Sequence, residues 1–249
     1  MTKDTKKRII IIVQARMGST RLPGKILKTI LGKPLLGYLI ERLQRVSLAD
    51  KIIIATTTNE SDNTIVDFCQ KEGVSVFRGS EEDVLSRYYL SAEENQADVV
   101  VRITSDCPLS DPKLIDSCIQ FFLDNTHQYD YVSNSIERTY PRGFDVEVFS
   151  SGALWKAHKL AFSASDREHV TLFMYKNPKQ FRVGSIKQGK DLSEYRLTVD
   201  TPEDFELIRL ILESLYPKNP NFNLEDVTKI LEEQPEWVKI NAHIQQKTT

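Results

Sequence analysis

The chain has 249 residues, of which 40% are hydrophobic and 27% charged, as is ordinary for a globular protein that buries a sizeable core. The 33 Lys and Arg residues against 35 Asp and Glu residues leave a net charge of -2, which argues against a nucleic acid partner and requires any basic site to be local. Three widely spaced cysteines, and no apolar run of about 18 residues, favour a cytoplasmic protein without disulfides, a signal peptide or a membrane span.

Segments typical of strands and helices alternate through the first half of the chain. Residues 9–13 form a continuous run of β-branched residues, as expected of a strand covered on both faces. Further strands are expected at 51–57, 74–77 and 98–103, and helices at 35–46, 61–72, 81–95 and 111–125, with Ser61 and Asp111 as N-caps. This alternation predicts an α/β fold with a mostly parallel sheet and helices on both of its faces.

The second half of the chain is less regular. Strands are expected at 144–149, 181–186 and 196–199, and helices at 165–175, 202–215 and 223–233. No low-complexity tract, repeat or Pro/Gly-rich linker marks a boundary. We therefore expect a single domain over residues 1–249, with an irregular segment near 135–195 that serves the acceptor or a dimer contact.

The loop after the first predicted strand combines cationic, glycine and hydroxyl-bearing residues: Arg16, Arg21, Lys25, Gly18, Gly24, Ser19 and Thr20. In an open α/β sheet, ligands bind at the carboxyl ends of the strands. Glycines let backbone N–H groups approach a ligand, while arginine forks and a lysine ammonium bind phosphate oxygens. The loop therefore favours a polyphosphate site over the alternative of a solvated basic turn. Its spacing matches neither the P-loop nor the G-x-G-x-x-G pattern.

Residues 14–25 (QARMGSTRLPGK) and 32–35 (GKPL) resemble the motifs of the CTP-dependent sugar nucleotidyltransferases. This group comprises the CMP-KDO synthetases, the acylneuraminate cytidylyltransferases and the spore coat polysaccharide biosynthesis protein F family. The resemblance implies a three-layer, Rossmann-like nucleotide-diphospho-sugar transferase fold in which this loop wraps the triphosphate of CTP. The nucleotide-binding residues expected on this basis are Gln14, Ala15, Arg16, Gly18, Ser19, Thr20, Arg21, Lys25, Thr104 and Ser105.

Asp106 and Asp200 each follow a predicted strand, so both carboxylates are expected at the edge of the sheet where the basic loop lies. Mg²⁺ commonly binds one or two carboxylates together with substrate phosphates. Asp200 also suits the N-cap of the helix that begins at Pro202, and this alternative stays open.

The stretches DCPL (106–109) and DTPED (200–204) resemble metal-binding motifs of the same group, although Ser105 stands where the KDO enzymes usually have glycine. The resemblance implies that Asp106 and Asp200 bind Mg²⁺. The catalytic residues expected on this basis are Arg16, Lys25, Asp106 and Asp200.

Polar residues in the irregular segment form a candidate acceptor site: Arg142, Asp145, Glu147, Arg167 and His169. Arginine pairs well with a sugar carboxylate, and His169 could orient or deprotonate a hydroxyl because histidine titrates near neutrality. The alternative is that residues around His169 form an ordinary amphipathic helix with a solvated face.

The stretches PRGFDVEVFS and REHVT resemble the spore coat family in particular, which usually has proline where this chain has Leu172. The resemblance also implies a homodimer. Its contact is expected in the same segment, with the side chains of Phe144, Val146 and Val148 facing a partner subunit.

Together, these features predict a cytidylyltransferase that joins CTP and an acidic sugar of the 2-keto-3-deoxy type into a CMP-sugar, with release of pyrophosphate, for surface polysaccharide biosynthesis. Mg²⁺ is the expected cofactor, and neither a nucleic acid nor a membrane is an expected partner. Two alternatives remain. One is a metal-dependent glycosyltransferase of similar architecture, and the other is a non-catalytic nucleotide-binding subunit.

Overall fold

The computed structural model describes residues 6–246, so residues 1–5 and 247–249 of the predicted domain lie outside the described part. Its strands are β1 (Ile9–Gln14), β2 (Thr29–Ile30), β3 (Lys33–Pro34), β4 (Lys51–Thr57), β5 (Ser75–Gly79), β6 (Val99–Thr104), β7 (Tyr131–Ser133), β8 (Glu147–Ser150) and β9 (Val183–Ser185). Its helices are α1 (Leu35–Leu43), α2 (Asn63–Lys71), α3 (Val84–Glu94), α4 (Pro112–Asp124), α5 (Ser151–Leu160), α6 (Ala164–Glu168), α7 (Leu172–Lys176), α8 (Pro202–Leu215), α9 (Leu224–Glu233) and α10 (Pro235–Val238). None of the described helices is both long and apolar enough to cross a membrane.

Seven strands form one sheet in the order β5-β4-β1-β6-β8-β7-β9, and β2 and β3 form a separate two-stranded ribbon. Strand β8 runs antiparallel to its neighbours β6 and β7, while the other pairings in the large sheet are parallel. The predicted mostly parallel sheet is therefore confirmed.

The alternation of side chains along β1 explains why helices cover both faces of the sheet. Ile9, Ile11 and Val13 are buried in a core that includes residues of α1, α4 and α8. Ile10 and Ile12 point to the opposite face, into a core that includes residues of α3, α5 and α7. A central parallel strand buried on both faces needs such a continuous apolar run. The three-layer α/β arrangement predicted from the sequence is thus confirmed.

The strand order places the candidate site beside β1. The chain passes from β1 to β4 and β5 on one side, and then returns to the other side of β1 with β6. Loops that leave the carboxyl ends of β1 and β6 therefore diverge and open a crevice at this topological switch point. The basic loop begins there after Gln14, and Asp106 lies just beyond Thr104, the last residue of β6.

Two strand predictions need correction in the second half of the chain. Residues 196–199 form no strand, because their one ladder contact in the described residues is an isolated bridge between Arg196 and Arg142. Strand β8 begins at Glu147 rather than at Phe144. The side chain of Asn134 bonds the backbone of Phe144 and Val146 at 2.7 Å and 2.9 Å, and so replaces ladder contacts there.

Two helix predictions also need correction. The helix expected over residues 165–175 is divided into α6 and α7 at Val170, whose φ of 56° lies in the left-handed region and interrupts the helical ladder. Ser61 is not an N-cap, because α2 begins at Asn63 after a 3₁₀ turn over Glu60–Asp62. Asp111 is confirmed as the cap of α4, since its carboxylate accepts a hydrogen bond from the backbone N–H of Lys113.

The predicted role of three apolar residues in a dimer contact is wrong. Phe144, Val146 and Val148 are 1%, 2% and 0% exposed and belong to the core of this chain. A side chain packed inside its own subunit has no surface to offer a partner. Any contact with a second subunit must therefore use other residues.

Candidate active site

A cavity of about 290 Å³ opens at the carboxyl ends of β1 and β6. Its lining includes every residue that the sequence assigned to the nucleotide, together with Asp106. Four further residues line it: Val84, Arg87, Glu168 and His169. The switch point therefore brings the basic loop, the end of β6 and parts of α3 and α6 around one space.

Backbone hydrogen bonds around Met17 hold the basic loop in shape. The N–H of Met17 donates to the Asp62 carboxylate at 2.8 Å, while its carbonyl accepts from Ser19 and Gly24 at 2.9 Å and 3.1 Å. Gly24 has a φ of 65°, a conformation that costs glycine little and other residues more. The turn therefore closes on itself and directs the following residue, Lys25, into the crevice.

Lys25 joins the two predicted metal ligands. Its Nζ lies 3.2 Å from Asp106 Oδ2 and 2.9 Å from Asp200 Oδ1, and it donates to the Val199 carbonyl at 2.6 Å. Asp106 and Asp200, which are 94 residues apart in the sequence, thus reach the same point. The chain thus forms one cluster of two carboxylates and an ammonium group beside the cavity.

Two arginines hold the second oxygen of Asp200. Arg21 Nη2 lies 3.0 Å and Arg196 Nη2 lies 2.8 Å from Asp200 Oδ2. Arg196 also forks onto Asp204, whose carboxylate is fully buried. Asp200 does not cap α8, because Thr201 and Asp204 form the capping box of that helix. The alternative role of Asp200 as a helix cap is therefore excluded, and its carboxylate is bound by Lys25, Arg21 and Arg196.

The charges in this cluster stabilise one another. Burial disfavours the ionised form of Asp200, but Lys25, Arg21 and Arg196 outweigh it, so the pKa of Asp200 is lowered below its ordinary value of 3.8. Burial likewise disfavours the Lys25 ammonium, but Asp106 and Asp200 outweigh it and raise the pKa of Lys25 above 10.5. Both groups are consequently charged throughout the neutral range.

The donor set of the cluster fits Mg²⁺. The two carboxylates come within 3.2 Å of one ammonium group, so they already converge on a single cation, and carboxylate oxygens are ligands that Mg²⁺ prefers. Between residues 6 and 246 there is no group of three or more His, Cys, Asp or Glu side chains that could hold a metal ion. The remaining ligands would therefore be phosphate oxygens and water, which is the usual arrangement for Mg²⁺ at nucleotide sites.

Arg16 takes a different position from the other two cations of the loop. It lines the same cavity, but its Nη1 lies 3.2 Å from Glu81, just before α3, rather than beside the acidic pair. Arg21 and Lys25 therefore reach the carboxylates, while Arg16 lies on the α3 side of the cavity. All three cations of the basic loop line one cavity, and two of them contact the carboxylates.

A second cavity of about 580 Å³ adjoins the first and shares Thr104 and His169 with it. Arg142, Asp145, Glu147 and His169 line it, as the sequence predicted for an acceptor site. Arg167 does not line either cavity, because its guanidinium pairs with Asp83 and bonds the carbonyl oxygen of His158. Its assignment to the acceptor site is corrected accordingly.

Most charges in the second cavity are already paired. Arg102 pairs with Glu147, which also accepts hydrogen bonds from Tyr131 and Thr171 at 2.7 Å and 2.6 Å. Glu147 is thus a buried anchor of the cavity wall rather than a free acceptor group.

The second ion pair of this cavity joins Arg138 to Asp145. Arg142 differs, since within the described part of the chain its side chain has neither a hydrogen bond nor an ion pair, although it is partly buried. An unpaired guanidinium facing a cavity favours binding of an anion.

Arg87 lines the first cavity, Arg138 lines the second, and Arg196 pairs with Asp200, although no sequence motif indicated these three residues. Arg196 stands four residues before Asp200, and this spacing is the one signal that could have indicated it. Cys107, next to Asp106, is 2% exposed, and burial raises the pKa of its thiol well above 9.0. A protonated, buried thiol is a packing group and not a nucleophile.

The sequence profile of the cytidylyltransferase family matches residues 10–236. Protein MJ1063 of Methanocaldococcus jannaschii is 40% identical over 243 residues, 97% of each chain. Spore coat polysaccharide biosynthesis protein SpsF of Bacillus subtilis is 35% identical over 238 residues, which cover 92% of this chain and 95% of that protein. The similarity thus extends over nearly the whole chain.

Solved structures agree with this relationship. A cytidylyltransferase from Leptospira borgpetersenii superposes with a TM-score of 0.90 at 32% identity, over 98% of this chain and all of that one. A CMP:2-keto-3-deoxy-manno-octonic acid synthetase complexed with CTP shares the fold, with a TM-score of 0.62 at 20% identity over 84% of this chain and all of that one. Both confirm the Rossmann-like transferase fold. The chain therefore belongs to the cytidylyltransferase family and is a nucleotidyltransferase.

Proposed function

We propose that this protein transfers CMP from CTP to an acidic sugar of the 2-keto-3-deoxy type, with release of pyrophosphate, in surface polysaccharide biosynthesis. The observation that carries this proposal is the pair of adjoining cavities. One is lined by Lys25 and Asp106, with Asp200 bound to Lys25 beside it, and the other is lined by Arg142. The name of the Bacillus subtilis relative supports the polysaccharide context. We further propose that residues 1–249 act as one domain and that the protein works as a homodimer.

In the proposed reaction, an oxygen of the sugar hydroxyl forms a bond to the α-phosphorus of CTP. The bond from that phosphorus to the bridging oxygen breaks, and its electron pair leaves with pyrophosphate. No covalent intermediate with the protein is required, since positioning and electrostatics account for much of the catalysis in phosphoryl transfer. Arg21 and Lys25, which contact the carboxylates, would neutralise the triphosphate and the departing pyrophosphate, whereas Arg16 lies on the α3 side of the cavity.

Asp106 and Asp200 would hold Mg²⁺, which supplies positive charge against the phosphate oxygens when it is bound. Arg196 would fix the orientation of Asp200, because it grips one carboxylate oxygen while Asp204 anchors the guanidinium from behind. Rotation of the Asp200 carboxylate is thereby restricted before the substrate arrives. Such preorganisation lowers the cost of reaching the transition state.

The acceptor would occupy the second cavity. Arg142 would bind its carboxylate, because this guanidinium has no direct ion pair among the residues that the structure describes and the nearby Asp145 is paired with Arg138. His169 lines both cavities and would orient the attacking hydroxyl, or accept its proton, at their junction. The negative charge of an acidic sugar would thus balance the positive charge of Arg142 in the second cavity.

The proposal is tested by incubating the protein with Mg²⁺, each of the four nucleoside triphosphates, and KDO, neuraminate or a legionaminate-type acid. We expect pyrophosphate and a CMP-sugar only with CTP and an acidic sugar, the products being identified by mass spectrometry. Activity with a neutral sugar and none with the acids would contradict the acceptor class. Release of UDP from UDP-sugars without pyrophosphate would favour the glycosyltransferase alternative, which the family membership does not support.

A further inference from the structure

Arg87 of α3 is a buried cation without adequate partners. The residue is 2% exposed, and its Nε and Nη1 have no hydrogen-bond partner in the described part of the chain. Burial of a charged group is costly unless hydrogen bonds or an opposite charge compensate for it, and nearly all buried polar groups in proteins are satisfied. Arg87 also lines the nucleotide cavity. An acceptor supplied from that cavity would therefore complete its hydrogen bonding.

The protein holds Arg87 by shape rather than by an ion pair. A Cβ at Gly79 would lie 2.7 Å from Cγ of Arg87, so the absence of a side chain at Gly79 makes room for the arginine stem. The nearby carboxylates are engaged elsewhere. The Asp62 carboxylate accepts hydrogen bonds from the hydroxyls of Thr56 and Thr57 and from the N–H of Met17, so other donors already occupy it.

Glu81 is likewise committed to other partners. One of its carboxylate oxygens accepts from Arg16 at 3.2 Å and the other from the side-chain amide of Asn59 at 2.5 Å. Neither Asp62 nor Glu81 is therefore available to neutralise Arg87 through a direct bond. The guanidinium remains a donor without an acceptor.

The position of Arg87 indicates which part of a nucleotide it would meet. Arg16, Asp62 and Glu81 are charged groups that act on Arg87, whereas Lys25 is held by Asp106 and Asp200. Arg87 consequently belongs to the Arg16 side of the cavity and not to the acidic side. With the triphosphate bound by Arg21 and Lys25 and its reacting phosphate at the acidic pair, the α3 side is left for the nucleoside.

We propose that Arg87 is a nucleotide-binding residue that donates to an acceptor atom of the nucleoside, either cytosine O2 or N3 or a ribose hydroxyl oxygen. This inference rests on the proposed use of CTP. An arginine side chain carries only donors, so the partner must be an acceptor, and the two acceptors on the pyrimidine edge of cytosine satisfy that requirement. Arg87 thereby contributes to nucleotide binding without contacting the reacting phosphate.

The test compares wild type with Arg87→Met, which retains an unbranched stem of similar reach and removes the charge. Isothermal titration calorimetry with Mg²⁺ measures affinities for CTP, CMP and inorganic pyrophosphate. We expect Arg87→Met to weaken CTP and CMP by about tenfold or more, as for a lost charge-assisted hydrogen bond, and to leave pyrophosphate unchanged. Arg209→Met, on a partly exposed face of α8 and outside both cavities, is the matched control and should bind all three as wild type does.

Thermal unfolding without ligand separates this role from a structural one. We expect the Tm of Arg87→Met to equal or exceed that of wild type, because an uncompensated buried charge has been removed. A clearly lower Tm would assign Arg87 to the fold, and loss of pyrophosphate affinity equal to the loss for CTP would assign it to phosphate; either result overturns the inference. Unchanged CTP and CMP affinities in the variant would overturn it as well. If wild type itself binds no CTP, the proposed function fails. If wild type and the variant bind CTP equally well, only the inference about Arg87 fails.

Gly79→Ala offers an independent test, because it moves the side chain of Arg87 without changing its chemistry. The added methyl group would displace the stem of Arg87, so CTP and CMP affinities should fall while the charge is retained. Pyrophosphate affinity should again stay at the wild-type level. Unchanged CTP affinity in a folded Gly79→Ala protein would contradict the inference.

Discussion

Asp106 and Asp200 contact the same ammonium group, but they differ in the other contacts of their carboxylates. Asp106 is bound by Lys25 and, more weakly, by the thiol of Cys107 at 3.5 Å. Asp200 also neutralises Arg21 and Arg196. Replacement of Asp200 therefore leaves several cations uncompensated, whereas replacement of Asp106 disturbs the surroundings less. Asp106 is the better residue for separating catalysis from stability.

We expect Asp106→Asn to lower kcat about 100- to 1000-fold, as typically follows the loss of an electrostatic contact in a transition state. Its Tm should stay close to that of wild type because Asp106 has few structural contacts. Pyrophosphate release at saturating CTP, acceptor and Mg²⁺ measures the effect. Asp124→Asn, at the exposed end of α4, should retain full activity. Near-normal turnover by Asp106→Asn would remove the carboxylate pair from the mechanism.

The pKa shifts of Asp200 and Lys25 predict how stability depends on pH. The pKa of Asp200 is lower in the folded state, so its contribution is present above pH 3.8 and is lost as the pH falls through the folded-state pKa. The pKa of Lys25 is raised, so its contribution is present below pH 10.5 and is lost as the pH rises through the folded-state pKa. Between these limits neither group titrates.

We therefore expect the difference in unfolding free energy between wild type and Asp200→Asn to be constant from about pH 5 to pH 9. The difference should shrink below pH 3.8, where wild type loses the contribution of its carboxylate. Urea denaturation at a series of pH values measures it. A difference that changes through the neutral range would show that another group controls the stability of the cluster.

At the scale of elements, the chain segment that carries Asp200 is held by a loop rather than by a sheet. The backbone N–H of Leu197 donates to the backbone carbonyl of Arg142 at 2.7 Å, and that of Val199 donates to the backbone carbonyl of Asp106 at 2.8 Å. Gly143 lies against this segment with a φ of 101°, and a Cβ there would lie 2.4 Å from the carbonyl oxygen of Leu197. The positions of Asp200 and of Arg142, which lines the second cavity, therefore depend on this close backbone contact.

We expect Gly143→Ala to reduce the free energy of unfolding by about 2–4 kcal/mol, because alanine both clashes and is strained at this φ. Activity should fall with stability, since displacement of the 196–200 segment moves Asp200. Chemical denaturation and pyrophosphate release measure the two effects. Gly189→Ala is the control, since a Cβ there meets nothing within 4 Å. Equal stability of the two variants would contradict the role of the close contact.

At the scale of the whole molecule, the homodimer stays a prediction. The apolar residues first assigned to its contact are inside the core, yet the same segment presents other large apolar side chains to solvent. Trp155, Leu160 and Phe162, in and after α5, are 52%, 41% and 86% exposed. Exposed apolar side chains that lie close together are typical of protein–protein contacts.

We expect light scattering after gel filtration to show a dimer, and Phe162→Glu to convert it to a monomer, because a buried charge without a partner opposes association. Leu31→Glu is the matched control. It also replaces an exposed apolar residue, but it lies far from that segment in the sequence and should leave the dimer intact. A monomeric wild type at all concentrations, or a dimer that survives the Phe162 substitution, would contradict the expected contact.

The sequence by itself determined the α/β class, the strand at residues 9–13 and the family. These features depend on local patterns: an unbroken β-branched run, alternating elements, and the contiguous motifs at 14–25, 106–109 and 200–204. Because the carboxyl ends of parallel strands meet at one edge, the position of Asp106 beside the basic loop followed from strand order, whereas Asp200 follows a segment that forms no strand. Local pattern and sheet topology agree here, which is why those predictions hold.

Only the tertiary structure decided which polar groups are paired and which are left free. Arg142 and Glu147 both lie in PRGFDVEVFS, yet Glu147 is bound by Arg102, 45 residues away, while Arg142 lacks a partner in the described residues. Likewise, the burial of Arg87 depends on the space beside Gly79, and the course of residues 196–199 depends on contacts with Arg142 and Asp106. Pairing, burial and close packing are long-range properties, because they depend on residues that only the folded chain brings together.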